Sequence, residues 1–153
     1  MNFPKVTIIY ASTSGNVETV CFHVSDILKS KGIESELHRA EKTGIEEIEK
    51  NSFFIFATST WEHGEINPFF NRLLSEISHT DLSNKRSAFI GLGDTRYEQV
   101  LFCKGIDILR DAFLKSGGTE VLTTLKINGE PYKYLQTTVN TWTDRLIQEM
   151  SIQ

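Results

Sequence analysis

The chain has 153 residues and a formal net charge of −4; that is enough for one domain, residues 1–153, to bury its own core, and the wrong sign for nucleic acid or an anionic membrane as partner. Two cysteines without a C-x-x-C, no long apolar stretch and no signal-like start point to a reducing cytoplasm, without disulfides, structural metal or membrane insertion.

Residues 5–10 read as a buried strand and Gly15–Lys31 as a helix with Val17, Val20, Cys21, Val24, Ile27 and Leu28 inward and Gly32 as its stop. Ile33–His38 alternates strictly, as an edge strand with one wet face does. Thr43–Lys50 is a short acidic helical segment leading into Phe53–Ala57, which is apolar on both faces and so belongs mid-sheet under covering helices. Thr58–Glu65 reads as a loop, after which Asn67 can cap and Pro68 open a helix with Phe69, Phe70, Leu73, Leu74 and Ile77 inward. Arg86–Ile90 is the fourth strand, ending in the turn Gly91–Asp94, and a helix follows over about Val100–Lys115 until Gly117-Gly118 breaks it. Thr119–Ile127 is the fifth strand, Asn128-Gly129 a turn, and Leu135, Val139, Trp142, Leu146 and Met150 stripe the last helix.

Strands alternating with helices imply an α/β three-layer sandwich: a parallel sheet, right-handed crossovers and helices on both faces. The first, third and fourth strands are apolar on both sides while the second alternates, which fits the order 2-1-3-4-5. In such a sheet a ligand sits beyond the carboxyl ends of the strands, between strands one and three. The loops Ser12–Val17 and Thr58–Glu65 then meet there, with Gly91–Val100 beside them.

Each loop offers different chemistry. In Ala11–Glu18, A-S-T-S-G-N-V-E, the hydroxyls of Ser12, Thr13 and Ser14, with flexible Gly15 and cap-capable Asn16, can wrap a phosphate at a helix N-terminus. The absence of G-x-x-x-x-G-K-S/T and of G-x-G-x-x-G excludes the usual polyphosphate and dinucleotide cradles and leaves a compact terminal phosphate; an ordinary strand-to-helix turn has the same composition. The second loop adds Thr58, Ser59 and Thr60 before Trp61, and the third adds Gly93, Asp94 and Tyr97, so an indole and a phenol can wall a planar ring. Glu62, Glu65, Asp94 and Glu98 surround that position without a lysine among them. Such charge disfavours a further negative charge on a redox ring and lowers its potential. His23, His38, His63 and His79 show no metal spacing, and only His63 lies near the ring position. Ser12 and Ser14 match no G-x-S-x-G elbow. A receiver-type signalling module would need acidic residues after the first and third strands and a lysine after the fifth, where this chain has Ala11-Ser12, Ala57-Thr58 and Asn128-Gly129.

The texts I-I-Y-A-S-T-S-G-N-V-E at Ile8–Glu18, S-T-W at Ser59–Trp61 and G-L-G-D-T-R-Y at Gly91–Tyr97 resemble the short-chain flavodoxins. Phe102–Asp107 and Leu125–Pro131 extend the likeness nearly end to end. The resemblance implies a five-stranded sheet, non-covalent FMN, and low-potential one-electron carriage by a cytoplasmic monomer, between a flavodoxin reductase or similar donor and acceptor redox enzymes, with no catalytic residue. It places Ser12, Thr13, Ser14, Gly15 and Asn16 in the phosphate loop and Thr58, Ser59 and Thr60 at the start of the second flavin loop, which runs on through Gly64. It places Trp61 on the dimethylbenzene side of the ring and Tyr97 as the outer stacking residue. Asp94 and Cys103 fall at the pyrimidine end, Cys103 through its backbone N–H, and Gly93 and Phe102 are further cofactor-binding positions. Flavodoxin-like proteins of cofactor maturation and FMN quinone reductases are the nearest rivals. Two positions depart from the family text. Val17 stands where a threonine normally offers a phosphate donor, which implies weaker FMN binding, and Glu62 stands where glycine is common, which implies a less stabilised neutral semiquinone.

Overall fold

The computed structural model describes residues 2–61, 64–96 and 101–151. Among these, the strands in chain order are β1 (Val6–Ala11), β2 (Ser35–Arg39), β3 (Phe53–Trp61), β4 (Glu65–Ile66), β5 (Arg86–Gly93), β6 (Thr119–Glu120) and β7 (Leu125–Asn128). The α-helices are α1 (Asn16–Ser30), α2 (Ile45–Glu49), α3 (Asn71–Ile77), α4 (Lys104–Lys115) and α5 (Asn140–Met150). The sheet runs β2-β1-β3-β5-β6, with β7 continuing the outer edge beside β5 and every one of these pairings parallel. Counting β5 as the fourth strand and β6 with β7 as the fifth, this is the expected 2-1-3-4-5.

Two-sided hydrophobicity puts β1, β3 and β5 in the middle, because consecutive residues serve opposite layers. Ile8, Ile55 and Ile90 pack under α1 and α5 with Val20, Val24, Trp142 and Leu146. Their neighbours Ile9, Phe56 and Phe89 face the other layer, against Ile48 of α2, Leu73 of α3, and Ile106 and Phe113 of α4. Phe56 is the hub of that layer, with ring centroids of Phe54, Phe89 and Phe113 at 5.6, 5.9 and 5.7 Å. Burying one such ring contributes about 1.5–3 kcal/mol, and truncating it to alanine costs about 3–5 kcal/mol.

The structure departs from the sequence reading at Phe69, expected inward but exposed, and in four stretches of the chain. β3 does not end at Ala57: the strand-favouring residues Thr58, Thr60 and Trp61 carry it four residues further, and its tip folds into a hairpin with β4, Thr60 opposite Ile66 and Trp61 opposite Glu65. The fifth strand is split. β6 pairs with Arg86 and Ser87, while β7 resumes opposite Ile90, so only Ala88 and Phe89 face the four residues 121–124. Two extra residues must loop out, more than the single extra residue of an ordinary bulge, and the displaced Thr123 carbonyl accepts from Trp142 Nε1 at 2.9 Å. The Leu135–Met150 stripe is composite: a 3₁₀ turn (Tyr132–Tyr134) and a π turn (Leu135–Val139) precede α5. Finally, α4 begins at Lys104 rather than Val100, which itself lies outside the described residues.

Asn67 caps as expected, its Oδ1 accepting from Phe69 N at 3.0 Å while Pro68 opens the 3₁₀ turn that leads into α3. No helix among the described residues is long and apolar enough to cross a membrane.

Candidate functional site

Beyond the carboxyl ends of β1, β3, β5 and β7 lies a cavity of about 360 Å³. The first loop contributes Ser12, Thr13, Ser14, Asn16 and Val17 to its wall, β3 contributes Ser59 and Thr60, and β5 with its following turn contributes Gly93 and Asp94. Nine positions singled out from sequence therefore share one wall. Leu92, Arg96, Gly129 and Glu130 complete it and were not among them. The signal was available, since Gly129 and Glu130 follow the last strand of the sheet, on the end where ligands bind.

The first loop is shaped from within. Gly15, at the N-cap of α1, has φ 92°, a left-handed backbone that favours glycine. Ser12 Oγ accepts from the backbone N–H of Gly15 at 3.1 Å and of Glu18 at 3.4 Å. A hydroxyl has two lone pairs and one proton, so both acceptor sites of Ser12 serve the loop and its proton is left for the cavity. Thr13 and Ser14 are exposed on the rim. Val17 is 2 % exposed, part of the core under α1, and lines the cavity as well. It offers no side-chain donor there.

At the second position the strand extension changes the expectation. Thr58 is fully buried in β3, its hydroxyl donating to the Ser59 carbonyl at 3.1 Å, and it does not line the cavity. Ser59 Oγ is held by the Asn67 side-chain amide at 3.1 Å, and Thr60 Oγ1 accepts from Gly105 N at 3.0 Å, fastening α4 to β3. Trp61 ends β3 and is 42 % exposed, outside the cavity wall. Gly64 is buried under Leu101 and Lys104. Glu62 and His63 lie outside the described residues.

The third position is a close approach. A Cβ on Gly93 would stand 2.9 Å from Cys103 N and 3.1 Å from the Phe102 ring, so only the absence of a side chain lets residues 102–103 pack this closely against the end of β5. Cys103 has φ 55°, unusual for a residue with a Cβ, and burial pushes its thiol up to about 12. Its sulfur is therefore protonated and inert at neutral pH, which leaves the backbone N–H as the group this residue can offer. The loop itself is tied to the last strand: Gly129 N donates to Gly93 O at 2.8 Å, and Asn128 exchanges hydrogen bonds with Thr95 at 3.0 and 2.8 Å. The acid at this rim is not bare, because Arg96 bonds Asp94 at 2.6 Å through Nη2 and holds its carboxyl below the usual range. Tyr97 and Glu98 lie outside the described residues.

Among the described residues, one of the scattered histidines belongs to a spatial group, apart from the cavity wall. On β2, His38 Nε2 lies 3.3 Å from Glu36 and 3.8 Å from Glu47, the three ligand-capable atoms within 4.8 Å of one another. Lys5 and Lys50 meet the other oxygens of the two carboxylates at 3.3 and 3.1 Å, so the group already forms a paired surface charge network.

A family model described as flavodoxin matches residues 8–142. The chain belongs to the flavodoxin family. The flavodoxin of Maridesulfovibrio salexigens is 30 % identical over 130 residues, covering 83 % of this chain and 88 % of that one. A solved short-chain flavodoxin associated with a non-canonical PDU bacterial microcompartment superposes with a TM-score of 0.87, at 24 % identity, covering 96 % of this chain and 99 % of that one. The Fusobacterium nucleatum flavodoxin, solved bound to flavin mononucleotide, gives 0.82 at 21 % identity, covering 95 % and 98 %.

Proposed function

We propose that this flavodoxin carries electrons one at a time on non-covalently bound FMN, between a reductase and acceptor redox enzymes in the cytoplasm, and turns over no substrate of its own. The observation that carries the reading is the joining of a hydroxyl-lined helix N-terminus with the ends of β3, β5 and β7 around one cavity, in a chain of this family.

The residues fit the cofactor. Ser12, Thr13, Ser14 and Asn16, at the positive end of α1, would hold its phosphate with neutral donors, Gly15 giving the loop its turn. Ser59, Thr60, Gly93 and Asp94, with the Cys103 amide packed against Gly93, would hold the polar edge of the ring. Trp61 and Tyr97 would flank the ring, and Thr58, Glu62, Gly64 and Phe102 would support the two loops. The isoalloxazine, when bound, supplies the one-electron chemistry. The protein's part is to bind, to orient, to exclude water from one side, and to set negative surroundings through Glu65 and Glu130, Asp94 being paired with Arg96. These charges disfavour a reduced anion and attract a basic partner, the latter in a salt-dependent way.

The test is FMN binding followed by anaerobic reductive titration against a redox dye. The expected result is one tightly bound FMN reduced in two resolved one-electron steps, the lower well below free flavin. Reduction in a single two-electron step would move the reading to a reductase, and absence of binding would remove it.

A further inference from the structure

Arg39 stands at the end of β2, opposite Tyr10 in the sheet register, and reaches under the phosphate loop. Its Nη2 donates to the Ser12 carbonyl at 2.6 Å, its Nη1 to Glu18 Oε2 at 3.0 Å and its Nε to Glu41 Oε2 at 2.8 Å. The Tyr10 hydroxyl donates to the same Glu18 oxygen at 2.6 Å, and the guanidinium carbon lies 5.4 Å from the Tyr10 ring centroid. Two consequences follow for the loop. A trans peptide points its C=O and the next N–H in opposite directions, and no peptide in the described chain is cis. Holding the Ser12 carbonyl toward β2 therefore turns the Thr13 N–H away from β2. Glu18 lies in the first turn of α1, where a carboxylate would repel an arriving anion at short range; Arg39 and Tyr10 both bond it, and Arg39 offsets its charge.

We propose that Arg39 is the positioning residue of the phosphate loop: by gripping the Ser12 carbonyl and Glu18 together it presents the Thr13 amide and shields the anion from Glu18, so that the site prefers a phosphorylated flavin to its dephosphorylated form. The proposal rests on the FMN reading and is tested apart from it. Dissociation constants for FMN and riboflavin are measured for the wild type, Arg39→Gln and Arg39→Lys, with thermal melts of the flavin-free proteins and competition by inorganic phosphate. Arg39→Gln is expected to weaken FMN at least tenfold while riboflavin changes less than twofold, and Arg39→Lys, which keeps the charge but not the fork, is expected to recover part of the loss. Equal losses for both flavins would make Arg39 a merely structural residue, and no loss would remove the role. If Arg39→Gln does not fold, Arg39→Lys decides: FMN weakened threefold or more with riboflavin unchanged supports the positioning, and an equal loss for both flavins or no loss overturns it. A wild type that binds inorganic phosphate but neither flavin would refute the FMN reading alone, and the loss of that phosphate binding in Arg39→Gln would still support the positioning; a wild type that binds none of the three refutes both.

Discussion

Replacing Val17 with threonine exchanges one methyl for a hydroxyl of nearly the same size at a position that is 2 % exposed, belongs to the core under α1 and lines the cavity. In the flavin-free protein the new hydroxyl is almost without water, and burying it costs about 1–3 kcal/mol unless it bonds back to a carbonyl one turn earlier. For a domain of this size that lowers Tm by about 2–4 °C per kcal/mol. In the complex the same hydroxyl can meet the phosphate, and a hydrogen bond to a charged group is worth about 1.5–3 kcal/mol. Allowing for imperfect geometry, a net gain of about 1.4 kcal/mol, or tenfold in Kd, is expected. FMN fluorescence quenching gives the Kd, riboflavin is the control, and a melt of the flavin-free protein reads the cost. Val17→Thr should bind FMN about tenfold tighter, bind riboflavin as before and melt lower. Unchanged FMN affinity at intact fold would refute the placement of the phosphate at this turn.

Three further outcomes are expected. Gly93→Ala puts a Cβ 2.9 Å from Cys103 N and should weaken FMN and riboflavin alike, by at least tenfold in the same titration, since it pushes residues 102–103 out of place at the ring end rather than the phosphate end. Cys21 and Cys103 are both buried with their thiols pushed up by desolvation, Cys103 to about 12; a thiol reagent at pH 8 should label neither in the folded protein and both in denaturant, and rapid native labelling would contradict the packing. Tyr10 is raised to about 12, first by burial and then by its bond to Glu18. Because the unfolded phenol ionises near pH 10, the stability this group contributes is complete below pH 10 and is lost as pH rises from 10 toward 12. Denaturation curves between pH 9 and 12 should therefore fall less steeply for Tyr10→Phe than for the wild type.

The parts of the fold legible in the sequence are those where burial alone decides. Phe53–Ala57 is apolar on both faces and lands mid-sheet, and the Val17–Leu28 rhythm becomes the buried stripe of α1. Asn67 and Pro68 mark their turn by local chemistry that does not depend on the rest of the chain. What escaped depends on partners distant in sequence. Thr58–Trp61 reads as a polar loop until β4 returns to pair with its tip, and the break after Glu120 follows from a register against β5 that periodicity cannot count. Arg39 looks like one more charge at an edge, because its target, Ser12, is 27 residues away in the chain. The site loops were found by the hydroxyls and aromatics they carry. Leu92, Gly129 and Glu130 were missed because they line the cavity by position rather than by a distinctive side chain.

The margins of the sheet bear on how this protein behaves in a crowd. A long, flat edge strand is an open row of backbone donors and acceptors that a second chain can join, and such joining is a route to aggregation. Here one margin is the five-residue β2, bearing Glu36, His38 and Arg39 with Lys5 bonded alongside. The other is cut into pieces of two and four residues around the looped-out stretch 121–124. The charges on β2 guard the first margin, and the second forgoes some pairing energy and presents little uninterrupted backbone to a neighbour. The bulge that looks like a fault in the fifth strand thus acts as protection against edge-to-edge association.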